Sequence, residues 1–232
     1  NVVLRSMTHD GLGLWRSVKA SGNVSAGGPE ELLAAPMTLK VDDGQVLEGQ
    51  GKFVQAVPEK TRRGEVIQQA ALTDGRKCAY EGVATHPAVV AKTRCTTEFD
   101  GCMKVELTLE PGTDKQELKK LWLDIPLRDE LMPLWHVVTT SIRINPVGAT
   151  PDGEGLVWDT TEFPDGTWRG TFRPYIWLGA EERGLCWFAD NDKNWVLRKD
   201  KGEYAPCLTL HREKGVLSLR VHLVQKPVTL DA

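Results

Sequence analysis

The sequence predicts an all-β protein: a single large antiparallel β-sandwich, supersandwich-like, with few or no helices. Three observations carry that prediction. Apolar and polar residues alternate with period two almost throughout, the mark of half-buried antiparallel strands. Turn dipeptides (Asp43-Gly44, Asp74-Gly75, Asp100-Gly101, Pro111-Gly112, Asp152-Gly153, Asp165-Gly166) recur along the chain between short strand-like runs, as in sandwiches and barrels. No strand alternates with a long helical pattern, which argues against a dinucleotide-binding α/β fold.

Strands are expected over 2–7, 12–19, 52–57, 65–72, 77–84, 89–99, 118–125, 135–144, 175–178 and 185–189. Segment 29–35 reads as one helical turn. Pro29 suits its first position, and Glu30 and Glu31 suit its positive end. Val105, Leu107 and Leu109 alternate with polar neighbours, as do Leu208 and Leu210, and Leu217, Leu219, Val221 and Leu223. The last two runs can be registered. Leu210 opposite Leu219 and Leu208 opposite Val221 require an even loop, and Lys214-Gly215 supplies two residues. At Asp100-Gly101 a two-residue turn pairs Phe99 with Cys102 and puts Cys95 opposite Glu106. Segment 145–170, with Pro146, Pro151 and Pro164, reads as a long decorated connection. No composition break divides the chain, so residues 1–232 are expected to form one domain.

Composition narrows the function classes. The chain has 232 residues, 29 Lys+Arg against 32 Asp+Glu, and a net charge of −3. A 41% hydrophobic share supports a packed core. Near-neutral charge argues against a nucleic-acid partner, and no apolar run is long enough for a membrane-spanning helix. The five cysteines include no CxxC, and no histidine sits at zinc spacing. A Cys95–Cys102 disulfide is not expected, because that register separates the sulfurs along the ladder. His211 and His222 fall on the polar parity of one hairpin but not opposite each other, a weak basis for a metal.

Eight Trp stand against three Tyr and five Phe. The densest chemistry lies in 173–195. Trp177 and Trp187 flank a turn at Glu181–Gly184, where Gly184 suits a positive φ. Asp190, Asn191, Asp192 and Asn194 form an acidic loop closed by Trp195. A flat indole matches the apolar face of a sugar, and carboxylates and Arg forks match its hydroxyls. The candidate ligand-binding residues are therefore Trp195, Asp190, Asp192, Arg183, Trp177 and Trp187. The competing reading puts Trp177 and Trp187 in the core. Trp195, Trp158 and Trp168 lie in loop-like sequence and are expected to be exposed. The acidic loop lacks the Gly and the twelfth-position Glu of a calcium loop, since Trp195 and Lys201 stand there. No catalytic residue, metal ligand or cofactor is expected from these patterns.

The run from Tyr175 through Trp177, Leu178, Gly179, Arg183, Gly184, Leu185, Trp187, Phe188 and Asp190 to Trp195 resembles a strand signature of the N-terminal β-sandwich domain of glycoside hydrolase family 123-like proteins. Leu121–Leu127 and Val221–Val228 resemble later strands of that domain, so the likeness covers roughly 90–228. It implies a sandwich that precedes a (β/α)₈ barrel, whose adjacent Asp–Glu pair acts on N-acetylgalactosamine-containing glycans. That pair has no counterpart here. The expected partners are then the catalytic barrel domain of the same parent chain and a glycan ligand, in a secreted or periplasmic protein. Starting at Asn1 and ending in Pro227–Ala232 straight after a strand-like run, the chain reads as a sandwich excised at its barrel boundary. Two other readings remain: a free-standing glycan-binding module, and a purely structural or interaction domain.

Overall fold

A computed structural model describes residues 5–21, 29–54, 77–114, 117–138, 145, 147–162, 171–195 and 205–230. Its strands, in chain order, begin with β1 (Arg5–His9), β2 (Trp15–Ala20), β3 (Glu30–Glu31), β4 (Thr38–Val41), β5 (Gln45–Val46) and β6 (Gly49–Val54). Next come β7 (Lys77–His86), β8 (Val89–Glu98), β9 (Met103–Pro111), β10 (Leu121–Arg128), β11 (Leu134–Val137) and β12 (Val147–Ala149). The last are β13 (Gly155–Asp159), β14 (Tyr175–Ala180), β15 (Arg183–Phe188), β16 (Leu208–Glu213) and β17 (Val216–Val224). Among the described residues the only helical pieces are two 3₁₀ turns, Asp129–Leu131 and Thr160–Glu162. The expected all-β sandwich is the fold.

Among the described residues, four antiparallel sheets form. Sheet I is β1-β2-β3, and sheet II is β13-β16-β17-β10-β4-β5. Sheet III is β12-β11-β14-β15, and sheet IV is β6-β7-β8-β9. One face of sheet II carries Leu39, Val41, Leu121, Ile125, Leu127, Leu208, Leu210, Leu217, Leu219 and Val221, all buried in one core. Sheet III adds Trp135, Val137, Ile176, Leu178 and Leu185 to the same core. Trp135 meets Trp158 of sheet II edge-on, with ring centroids 5.1 Å apart. Each buried aliphatic side chain contributes about 1.5–3 kcal/mol against leaving it in water.

The register inferred for 208–224 holds: Leu208 faces Val221, Leu210 faces Leu219, and Glu213 faces Val216. Lys214 (φ 50°) and Gly215 (φ 80°) take the doubly positive turn that matches strand twist. The hairpin at Asp100-Gly101 differs by one residue. Thr97 pairs with Met103 and Cys95 with Val105, so the loop has three residues, Phe99, Asp100 and Gly101. Gly101 takes φ 86° and donates to the Glu98 carbonyl at 3.0 Å. The left-handed residue at the third loop position, rather than a two-residue turn, uses the glycine.

Three further expectations are corrected. Segment 29–35 is not a helical turn: Glu30 and Glu31 pair with Ala20 and Lys19 as β3. The Glu31 carboxylate accepts from the Val18 amide at 2.8 Å, the Leu33 amide at 3.1 Å and the Ser17 hydroxyl. These long-range bonds outweigh the local helix-start signal. The stretch 145–170 is not merely a connection, since β12 and β13 lie in it. Trp158 is 2% exposed in β13, not solvent-facing. The strand expected at 65–72, the turns at Asp74-Gly75 and Asp165-Gly166, and Trp168 lie outside the described residues.

Sheet IV receives the loop between β1 and β2 at backbone distance. A Cβ added to Gly82 would sit 2.6 Å from the Gly11 carbonyl oxygen and 2.6 Å from Leu12 Cα. The Leu12 carbonyl accepts from the Thr93 hydroxyl at 2.5 Å. Asp10 shapes this loop by accepting from the Leu12 and Leu14 amides at 2.8 and 2.9 Å. Burial raises the Asp10 carboxyl above its usual range in spite of those bonds. Gly82→Ala is expected to lower stability by about 1–3 kcal/mol through overpacking. A urea midpoint unchanged from wild type would show that the loop does not dock there.

Candidate functional site

The β14–β15 hairpin decides where the tryptophans point. Its two-residue loop is Glu181-Glu182, and Ala180 pairs with Arg183. Ile176 faces Trp187 and Leu178 faces Leu185, so these four share the core side. Trp177 faces Cys186, Gly179 faces Gly184, and Tyr175 faces Phe188, all on the outer side. Trp177 and Trp187 therefore lie on opposite faces of one sheet. Trp187 packs against the core and Trp195, with ring centroids 6.4 Å apart. The core reading fits Trp187 and not Trp177.

Trp177 lies over two facing glycines. A Cβ on Gly179 would come within 2.7 Å of Trp177 Cζ2, and one on Gly184 within 2.7 Å of its Nε1. Gly184 was expected to serve a turn at positive φ. It sits instead inside β15, outside the left-handed region, and clears space for the indole. Bare backbone under an aromatic ring is a recurrent use of glycine in strands.

The rest of the outer face of sheet III is apolar and aromatic. One row crosses all four strands: Val147, His136, Trp177 and Cys186. Tyr175 and Phe188 form the row on one side, and Leu134 and the glycines the row on the other. Val147 is 76% exposed, Phe188 57% and Leu134 36%. The His136 and Tyr175 rings meet edge-on, with centroids 5.5 Å apart. At the hairpin end this face runs into a shallow, open depression of about 400 Å³. Pro133, Leu134, Ala180, Glu181, Glu182 and Arg183 line it.

The other sequence candidates fall at different places. Arg183 lines the depression, but its guanidinium is ion-paired with Glu30 of sheet I. Asp190 is exposed and Asp192 half-buried, beyond the opposite end of β15. Their loop is held by the Lys193 amide donating to Asn191 at 3.0 Å and the Trp195 amide donating to the Asp192 carbonyl at 3.3 Å. Trp195 is half-buried rather than exposed. Its Nε1 donates to the His222 carbonyl at 2.9 Å, and its ring packs on Phe172 at 5.3 Å. Trp177 and Arg183 are therefore not brought together: Arg183, opposite Ala180, has the parity of Leu178 and Leu185, and Trp177 lies on the outer side. Trp187 and Trp195 are half-buried and pack on each other, and Asp190 and Asp192 lie in the loop between them. No cluster of three or more His, Cys, Asp or Glu with metal-binding geometry occurs among the described residues.

Sequence reasoning missed His136, Tyr175, Phe188 and Val147 as members of the Trp177 face. It also missed a polar cluster on the outer face of sheet II. There Asp124, 4% exposed, takes ion pairs from Lys40 and from Arg220 at 3.4 Å. Trp122 and His222 are directly opposite each other in the neighbouring row. His222 Nε2 is 3.1 Å from the Thr209 hydroxyl. Burial, then the Arg220 guanidinium, pushes the His222 imidazole down to about 4. The same two causes lower His211, against the pull of Asp124. The parity of Leu121, Leu123, Ile125 and Leu127 already placed Trp122 and Asp124 on the polar side.

Chemically, the Trp177 face offers a flat apolar and aromatic surface with a carboxylate pair at one end. Such a surface holds the C–H face of a ring and hydrogen-bonds hydroxyls at its rim. The cluster around Asp124 is charge-satisfied and built into the sheet. Comparison with family models, curated proteins and solved structures finds no match for this chain.

Proposed function

We propose that this chain is the non-catalytic β-sandwich domain of a glycoside hydrolase-like protein acting on amino-sugar glycans. It supports a catalytic barrel in the same parent chain and lends the outer face of sheet III to the glycan. The observation that carries this reading is Trp177 laid over Gly179 and Gly184 at the centre of an apolar sheet face. Contiguous exposed apolar surface marks a place of contact. The strand signature shared with glycoside hydrolase family 123-like sandwiches supports the glycan side of the reading, because Trp177 and both glycines belong to it.

A free-standing binding module would use the same face, so the parent context rests on the resemblance and the contact surface on the geometry. The test is calorimetric titration of N-acetylgalactosamine oligosaccharides into the chain and into Trp177→Ala. Binding weakened at least about tenfold by the substitution, a loss of about 1.4 kcal/mol, is the expected result. Absence of binding to the wild-type chain at millimolar glycan would overturn the glycan contact.

A further inference from the structure

Asp-Gly steps punctuate the chain, and an Asp-Gly step is also a chemical weak point. With no side chain on the following residue, the Gly amide nitrogen can reach the Asp carboxyl and close a five-membered succinimide. Closure needs a Gly N–H free of other bonds, a carboxyl free to swing back onto it, and space for the ring. The described residues contain four such steps, Asp10-Gly11, Asp43-Gly44, Asp100-Gly101 and Asp152-Gly153. The fold treats them differently.

At Asp43-Gly44 the Gly amide donates to the Val41 carbonyl at 2.9 Å. At Asp100-Gly101 the Gly amide donates to the Glu98 carbonyl at 3.0 Å, and the Asp100 carboxylate accepts from the Cys102 amide at 2.9 Å. At Asp10-Gly11 the carboxylate is held by the Leu12 and Leu14 amides, and a Cβ added to Gly11 would lie 1.9 Å from the Gly49 carbonyl oxygen. Asp152-Gly153 has none of these restraints. Among the described residues the Gly153 amide has no acceptor, and the Asp152 carboxylate has neither donor nor cation. Residues 152–156 are all exposed. A Cβ on Gly153 would meet nothing closer than Val157 Cγ1 at 3.8 Å. The contacts that hold this turn leave the reacting atoms free. Arg212 Nη1 donates to the Pro151 carbonyl at 2.5 Å and to the Gly153 carbonyl at 3.3 Å, while its Nε donates to the Asp129 carboxylate at 3.0 Å.

We propose that Asp152-Gly153 is a modification site, where the chain converts its own aspartate to isoaspartate, a substrate for carboxyl methylation. The Gly153 nitrogen attacks Cγ of the protonated Asp152 carboxyl. The N–Cγ bond forms, the C–OH bond breaks, and the hydroxyl leaves with the amide proton as water. Water then adds to either ring carbonyl. Opening at Cγ restores aspartate. Opening at the main-chain carbon breaks the original peptide C–N bond, leaves Gly153 joined through Cγ and frees the α-carboxyl group. One water is lost and one regained, and nothing is oxidised or reduced. The product has an extra methylene in the main chain between the two carbonyls that Arg212 holds. It therefore loosens the start of β13, where Gly155 pairs with Arg212.

The test ages the full chain in neutral buffer at body temperature, beside a second sample aged in urea. Digested peptides are then labelled by an isoaspartyl methyltransferase with S-adenosylmethionine and mapped. In the folded chain the peptide holding Asp152 is expected to gain isoaspartate at least about fivefold faster than those holding Asp10, Asp43 and Asp100, the factor that one intact hydrogen bond imposes. In urea the four rates are expected to converge. Asp152→Glu is expected to remove the label from its peptide, because the longer side chain closes a six-membered ring far more slowly. Equal rates at the four steps of the folded chain, or faster labelling at Asp43 or Asp100 than at Asp152, would overturn the assignment.

Discussion

Acidification from pH 6.5 to pH 4 is expected to remove about 2–3 kcal/mol of stability through His222 alone. The imidazole is held at about 4 in the fold by burial and by Arg220, with His211 and Lys120 adding smaller repulsions. Unfolded, it returns to the ordinary value near 6.5. Between those values the unfolded chain binds the proton that the folded chain refuses. Stability therefore rises with pH across the window and is lost as pH falls through it. The full difference corresponds to about 3.4 kcal/mol at 1.36 kcal/mol per pH unit, and solvent screening of a half-buried ring reduces it. His211, also lowered, acts in the same direction. Asp10 opposes both, because its raised carboxyl makes protonation favour the folded state. His222→Gln keeps a hydrogen-bond partner for Thr209 and cannot titrate. Urea midpoints at pH 7, 5.5 and 4 are expected to fall much less steeply for this variant. Equal slopes for the two proteins would remove His222 as the cause.

Widening either glycine beneath Trp177 is expected to abolish what the outer face does while sparing the fold. Gly184→Val places its Cβ within 2.7–2.8 Å of the indole Nε1 and Cε2 and 2.6 Å from the Leu178 carbonyl oxygen. The ring must leave its seat, since no rotamer of Val removes that Cβ. Glycan affinity should drop at least about tenfold, as for Trp177→Ala. The stability cost should stay near the roughly 1–3 kcal/mol of an overpacked site, leaving the domain folded. Retained affinity with a displaced indole would show that Trp177 is a bystander.

The strand pattern was legible because alternation is a direct consequence of one buried face. The 208–224 hairpin shows it best, where the leucine parity and an even loop at Lys214-Gly215 leave a single register. The 95–105 hairpin departs from the expected register for a local reason: Asp-Gly suits both a two-residue turn and the end of a three-residue loop. Glu30 and Glu31 carry a helix-start signal, yet bonds to Val18 and Ser17, far away in the chain, decide their state. Trp158 sits among prolines and glycines, which reads as loop sequence, although Leu210 opposite it makes it core. The split of Trp177 from Trp187 was available in the sequence. A two-residue loop at Glu181-Glu182 puts Trp177 opposite Cys186 and Ile176 opposite Trp187, on different sides. The membership of His136 and Val147 was not available, because β11 and β12 reach β14 only through long-range pairing.

The most direct test of the glycan-facing role follows the indole Nε1–H signals of the folded chain by NMR during titration with an N-acetylgalactosamine oligosaccharide. The Trp177 signal is expected to shift with the bound fraction, while those of Trp158, 2% exposed, and Trp195, bonded to the His222 carbonyl, stay in place. Shifts confined to Trp195 and the Asp190–Asn194 loop, or no shift in any indole at millimolar glycan, would contradict the assignment of the outer face of sheet III as the contact surface.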